Sequence, residues 1–276
     1  QFRTGLTISM FALIIFTMMI NAVLNNLNNV QMQSPERVTG GFDIVATIPE
    51  EYPINGFKDV IEKSEILDID DFDTITGSVD IPTIVRQKNG KEKNFKSLTV
   101  AAVETAYLQN TQIQFSHYDR QYGTTPEEIW NNLNSDASLA VISNNTLAND
   151  DPFGPPDRGF EIEGFGASED ADTWKTITLE IRPSRGGERT LERNVIAVID
   201  PIADSLDDWE RGSYLITAGD IILPLTSKDV PFDTFQIKLS PGSSKTASDI
   251  VPLLETEFLY NGLDAVSTAE LIERGQ

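Results

Sequence analysis

From Gly5 to Leu24 the sequence GLTISMFALIIFTMMINAVL runs for 20 residues without an Asp, Glu, Lys or Arg. Its apolar side chains fall on every side of a helical projection, whereas a helix resting on a soluble core shows one stripe. At ~1.5 Å per residue such a helix spans roughly 30 Å, the thickness of the bilayer hydrocarbon layer. The pattern therefore predicts a transmembrane helix over residues 1–28. Thr7, Ser9, Thr17 and Asn21 are its polar members; hydroxyls can bond back to the helix backbone, which leaves Asn21 as the residue expected to face a partner helix. A cleaved signal peptide would have an apolar region of only ~7 to 15 residues and a small-x-small site, which NAVLNNLNN lacks. Arg3 ahead of the helix favours a cytoplasmic N-terminus.

Residues 29–40 are polar, contain Pro35, and read as a stalk. From residue 41 the pattern changes to that of a folded domain. A strand is predicted over Phe42 to Ile48, then a helix capped by Asn55 with Phe57, Val60 and Ile61 as its stripe, then a strand near Ile75 to Ile84. The loop QKNGKEKN leads into a strand over Phe95 to Val103. Thr125, Pro126 and Glu128 form a capping box that starts a helix with Ile129, Trp130 and Leu133 buried.

The middle of the chain reads as strand-rich: Leu139 to Ser143, Phe160 to Gly164, then Ile177, Leu179 and Ile181 alternating with polar residues, which buries one face. The continuous run Val195 to Ile199 fits a strand covered on both faces. Loops are predicted at NDDPFGPPDRG and RPSRGGER. Near the end, Phe235, Ile237 and Leu239 alternate, followed by a helix with Ile250, Val251, Leu254, Phe258 and Leu259 inward and a strand around Gly262 to Val266. Pro252 must lie in the first turn of that helix or kink it. This closing strand-helix-strand echoes the opening one. Ser267 and Glu270 form a further capping box, so a new helix is expected where the chain stops, on the way to another span. With Gln1 rather than Met at the start, the chain reads as a piece of a longer polypeptide.

Hydrophobic residues make up 39% of the 276, enough for a membrane segment and a buried core. Lys and Arg number 21 against 43 Asp and Glu, a net charge of -22. Such a surface repels phosphate backbones and anionic headgroups, so no nucleic acid is expected as a partner, and membrane contact is expected through the N-terminal helix alone. The acidity otherwise serves solvation. The absence of cysteine removes disulfides, thiolate metal sites and cysteine nucleophiles.

The search for chemistry yields no catalytic, cofactor-binding or metal residue. His117 is the single histidine, and without cysteine or a second histidine it cannot complete an ordinary zinc site and reads as a surface or packing residue. No GxSxG elbow is present. PGSSKT at Pro241 to Thr246 lacks the phosphate-loop spacing, and its serines read as helix caps. EGFGAS at Glu163 lacks the third glycine of a dinucleotide loop. The cluster Asp68, Asp70, Asp71 and Asp73 lacks the glycine and the final glutamate of a calcium loop. Asn144-Asn145-Thr146 has the pattern of a glycan acceptor.

The residues FRTGLTISMFALIIFTMMI (Phe2 to Ile20) resemble the helix that opens a permease repeat in the FtsX-like, MacB-type ABC transporter permeases. Phe2, Arg3, Thr4, Gly5 and Leu6, followed by Met10, Phe11, Ala12 and Leu13, carry the likeness. TTPEEIWNNLNSDASLAVIS (Thr124 to Ser143) and FQIKLSPGSSKTASDIVPLLETEF (Phe235 to Phe258) are similar to segments of that family's extracytoplasmic domain.

The resemblance implies an α+β fold: the N-terminal transmembrane helix followed by a mixed α/β extracytoplasmic domain, residues 41–276. Residues 41–115 and 232–267 would be a porter-like part of βαβ units and residues 116–231 an inserted β-rich subdomain. It also implies a permease subunit in the cell membrane that relays ATP-driven motion for export or mechanotransmission. ATP hydrolysis would lie in a separate cytoplasmic ABC ATPase subunit, so the chain is expected not to be an enzyme and to need no cofactor. Expected partners are membrane lipid, that ATPase, a second permease copy or repeat, and an extracytoplasmic protein. The alternative reading is a singly anchored extracytoplasmic binding or sensor domain.

Overall fold

One strand of sixteen residues, Phe72–Gln87, runs the length of the folded part of the chain, roughly 50 Å at ~3.3 Å per residue. In this computed structural model the described residues are 15–20, 39–147, 159–166, 170, 173–184, 189–200, 213–228 and 230–274. In chain order the strands are β1 (Ile44–Thr47), β2 (Phe72–Gln87), β3 (Lys96–Val103), β4 (Phe115–Tyr118), β5 (Leu139–Ile142), β6 (Ile177–Pro183), β7 (Leu191–Ile199), β8 (Tyr214–Ala218), β9 (Thr234–Leu239) and β10 (Asp264–Ser267). The helices are α1 (Phe57–Glu62), α2 (Thr105–Asn110), α3 (Pro126–Ser135), α4 (Ile222–Thr226), α5 (Ala247–Glu257) and α6 (Thr268–Arg274).

The first half of β2 belongs to a four-stranded antiparallel unit in the order β10-β1-β9-β2. It is made of two strand-helix-strand runs, β1-α1-β2 and β9-α5-β10, interleaved in the manner of a split βαβ fold. Both helices cover one face because their apolar stripes have nowhere else to be buried. Phe57 of α1 stacks between Phe235 of β9, 4.0 Å away, and Phe258 after α5, 4.5 Å away. Ile44, Ala46, Ile61, Ile237 and Leu254 complete this core with almost no exposure.

The second half of β2 belongs to a closed ring. β6 pairs with β2 on one side and β7 on the other, so β2-β3-β8-β5-β7-β6 returns to its start as a six-stranded barrel. Most neighbours are antiparallel, with β3-β8 and β5-β7 parallel. Alternation sorts the side chains: Val79, Leu98, Val100, Ile142, Leu179, Ile181 and Leu215 fill the interior. Ala101, Val103, Val141 and Ile216 point outward against α2 and α3. A bulge between Ala140 and Val141 shifts the β5-β7 register, so Ile196 and Ala197 both turn to the helix side while Val195 and Val198 face inward. This is why Val195 to Ile199 reads as continuously apolar.

The capping box at α3 has the expected form: Thr125 Oγ1 accepts from the Glu128 amide at 3.3 Å, and the Glu128 carboxylate accepts from the Thr125 amide at 3.3 Å. Ile129, Trp130 and Leu133 are buried. Several local expectations are corrected. Residue Gly56, in the left-handed region at φ 73°, caps α1 in place of Asn55, because that turn needs a backbone conformation asparagine adopts less readily. Phe160 to Gly164 form no strand; Phe160 and Ile162 are buried in the barrel core from a non-regular segment. Pro252 sits at the sixth position of α5, beyond its first turn. Leu259 lies past the end of α5 and is 71% exposed.

The predicted transmembrane helix lies mostly outside the described residues, as do residues 29–38 of the stalk and most of NDDPFGPPDRG. Residues 15–20 are helical, and Ile15, Phe16, Met18 and Met19 are more than half exposed. Among the described residues no helix is long and apolar enough to cross a membrane.

Candidate functional site

The two ends of the folded part meet. β1 and β10 are antiparallel neighbours with Ile44 opposite Ser267, so the chain arrives and departs at the same end of the sheet. Thr39 and Thr268 each donate a hydroxyl hydrogen bond to the Phe42 carbonyl at 2.5 Å, and the Thr268 amide donates to the Asp43 carbonyl at 2.9 Å. The Asp43 carboxylate accepts from the Leu239 amide at 2.7 Å, which ties the junction to β9. On the other flank the Gln112 amide donates to the Gly40 carbonyl at 2.7 Å. Gly40 has φ 68°, and a Cβ there would stand 2.7 Å from Thr111 Oγ1 and 2.9 Å from Ile113 Cγ1. The junction thus requires glycine both for conformation and for space. It touches the split βαβ unit through β9 and the helical cover of the barrel through residues 111–113.

Sequence motifs that carry no catalytic reading have definite places. His117 is buried, with Nδ1 2.9 Å from Ser116 Oγ and its ring edge-on to Phe165 at 5.1 Å. It is a packing element of the barrel's aromatic cover, which continues through Phe165 to Trp174. The aspartate cluster is divided among local contacts. Asp68 accepts from the Asp70 amide, Asp73 from the Thr74 hydroxyl, and Asp71 from Lys245 Nζ at 2.8 Å and Ser243 Oγ at 2.7 Å. Those hydrogen bonds, the Lys245 one first, hold the Asp71 carboxyl below the usual range, and Asp71 in turn raises Lys245. Among the described residues no group of three His, Asp or Glu side chains could hold a metal ion.

PGSSKT differs from its sequence reading. Thr246, not a serine, caps α5 through a capping box with Asp249, while Ser243 and Lys245 clamp Asp71 at the start of β2. Asn144 is partly buried, and Thr146 is fully buried with its hydroxyl on the Ser143 carbonyl.

Three arrangements escaped sequence reading. Glu163 of EGFGAS reaches the β2-β3 hairpin turn, where its carboxylate accepts from the Lys91 and Glu92 amides at 2.6 Å each. The two amides hold its carboxyl below the ordinary range. Arg193, nearly buried at one mouth of the barrel, makes two contacts of 2.9 and 3.0 Å with Asp220 and one of 3.1 Å with Thr217 Oγ1. Phe95 lies beneath two guanidinium groups, Arg86 at 4.7 Å and Arg182 at 4.2 Å, and Arg86 is paired with Glu180. Each links residues far apart in the chain, and only Glu163, an acid between Ile162 and Gly164 in a largely apolar stretch, carried a local hint.

No known protein-family profile matches the chain, and no curated protein sequence does. Among solved structures it is similar to the extracellular domain of the ABC-type transporter YknZ from Gram-positive bacteria, at 11% identity and TM-score 0.40, covering 81% of this chain and 98% of that one. It is also similar to the periplasmic region of MacB from Actinobacillus actinomycetemcomitans, at 10% identity and TM-score 0.44, covering 88% and 96%. What the domain does rests on its own residues.

Proposed function

We propose that the chain is the extracytoplasmic domain, with its first membrane helix, of an FtsX/MacB-type ABC transporter permease. The observation that carries this reading is the junction at Thr39, Phe42 and Thr268. A domain inserted between two membrane helices must receive and return the chain at one end, and here the arriving and departing segments share a carbonyl. The charge-free stretch from Gly5 to Leu24 supplies the first span. Exposed Ile15, Phe16, Met18 and Met19 are suited to lipid and costly in water. α6, which starts at the junction, would lead toward the second span.

In this reading residues 41–115 and 232–267 are the porter-like part and residues 116–231 the inserted subdomain, with β2 as the strand common to the split βαβ unit and the barrel. ATP is hydrolysed in a separate cytoplasmic subunit. Its closure moves the membrane helices, the motion reaches residues 39–43, and β2 carries it outward as a continuous strand about 50 Å long. A strand hydrogen-bonded on both sides transmits displacement without a hinge of its own. The domain then performs mechanical work on an extracytoplasmic partner or cargo rather than bond chemistry.

The test is purification of the full-length gene product from membranes in mild detergent. An ATPase subunit that co-purifies in stoichiometric amount, and whose hydrolysis rate changes when Gly40→Val disrupts the junction, supports the permease. A product that purifies alone and needs no ATPase for its cellular role fits a singly anchored module and overturns it.

A further inference from the structure

Between the split βαβ unit and the barrel lies a cleft of about 320 Å³, bounded by the β1-α1 loop, the start of the barrel half of β2, and residues 230–233, which return the chain to β9. Phe232 forms its inner wall and packs against the cores of both bodies. Ile48, Val79 and Ile81 make the floor apolar.

The side chains of the wall are one-sided in their hydrogen-bonding character. Pro49, Pro53, Pro82 and Pro231 line the cleft and have no amide hydrogen to offer. Among the described residues the lining contains no Lys, Arg, His, Asn, Gln, Tyr or Trp, so Thr226 supplies its one side-chain donor besides the acids. That hydroxyl is already 2.8 Å from the Ile222 carbonyl and 2.6 Å from that of Lys228. Glu50, Asp80 and Asp233 add three carboxylates. Lys228, the basic residue nearest in sequence, is exposed and does not line the cleft. The side chains lining the cleft therefore bring acceptors and negative charge beside an apolar floor, with one Asp233 oxygen also accepting from Thr234 Oγ1 at 3.0 Å.

This is not the general acidity of the protein spread evenly. The larger cavity beside the β2-β3 hairpin is lined by Arg86, Lys91 and Lys96 as well as by acids. A ligand complementary to the cleft must bring donors and positive charge on an apolar body.

We propose that this cleft binds a small molecule made of an apolar body and a primary ammonium group, the body against Phe232 and Ile81 and the ammonium among Glu50, Asp80 and Asp233. The inference goes beyond the permease reading and does not depend on it, since the cleft is argued from residues of the folded domain alone.

The probe is 4-phenylbutylamine, with 4-phenylbutan-1-ol and 4-phenylbutyrate sharing the same body as neutral and anionic controls. Each is titrated against the full chain in nanodiscs of zwitterionic lipid and followed by ligand-observed NMR. An eleven-heavy-atom ligand at ~0.3 kcal/mol per atom gives an amine Kd on the order of a millimolar. The alcohol is expected to bind at least several-fold more weakly and the carboxylate not detectably. Glu50→Lys, at an exposed position, should weaken the amine by about ten-fold, since it removes one attraction and adds one repulsion. Glu62→Lys, exposed on α1 and outside the cleft, makes the same change in net charge and should leave Kd within about two-fold. Pro82→Trp, which adds bulk at the cleft wall, should abolish binding. Equal binding of amine and alcohol, equal effects of the two lysine variants, or no amine binding at about ten times the expected Kd would each overturn the proposal.

Discussion

Thr39 Oγ1 stands 3.0 Å from Thr268 Oγ1, two hydroxyls 229 positions apart in the chain that meet on one backbone carbonyl. Their proximity is the most direct structural expression of a folded part whose two ends meet. The chain has no cysteine, so the double variant Thr39→Cys, Thr268→Cys offers an unambiguous crosslink. The side chains lie within disulfide reach, and mild oxidation should give a single faster-migrating band on non-reducing gels. A control pair, Thr39→Cys with Tyr260→Cys, should give none, because Tyr260 lies at the far end of β1 and β10. Equal crosslinking of the two pairs would mean that the ends are not fixed to each other.

Barrel closure makes its own prediction. Leu179 of β6 is fully buried in the ring interior. Leu179→Ala should cost about 2–5 kcal/mol and lower Tm by several degrees, at roughly 2–4 °C per kcal/mol for a domain of this size. Hydrogen exchange should show amides of β6 and β7 losing more protection than those of β1 and β10, since the latter belong to a separate core. Uniform loss across both cores would show that the two bodies unfold as one unit.

Glu163 gives a pH dependence whose sign follows from its lowered carboxyl. A folded-state value below the unfolded one means that the hairpin contact stabilises fully above the ordinary carboxylate value of 4.5 and is lost as pH falls through the lowered folded value. Hydrogen-exchange protection of the Lys91 and Glu92 amides should therefore fall at acid pH in the native chain. In Glu163→Gln it should be weak at every pH. Protection unchanged by the substitution would show that the carboxylate does not hold the turn.

How much of this was written in the sequence depended on distance along the chain. The α3 start could be read because Thr125, Pro126 and Glu128 act within one helical turn. The echo between the opening and closing strand-helix-strand segments followed from local periodicity, and those segments interleave in one sheet. Closure of the barrel was invisible, because β6 joins β2 across more than ninety residues and its alternation says only that one face is buried, not against what. The burial of Arg193 carried no sequence signal for the same reason: Asp220 and Thr217, which make it tolerable, lie on other elements. Leu259 misled in the opposite direction, since its helical spacing continued the α5 stripe after the helix itself had ended at Glu257.

The permease proposal requires the folded domain to lie outside the membrane that Gly5 to Leu24 are proposed to cross. Tyr260, 94% exposed at the end remote from the junction, is the position at which to measure it. In intact cells producing the full-length Tyr260→Cys variant, a membrane-impermeant maleimide should label the new thiol to completion, while Gln1→Cys should react only after permeabilisation. Labelling of Tyr260→Cys that also waits for permeabilisation would put the domain in the cytosol and contradict the account.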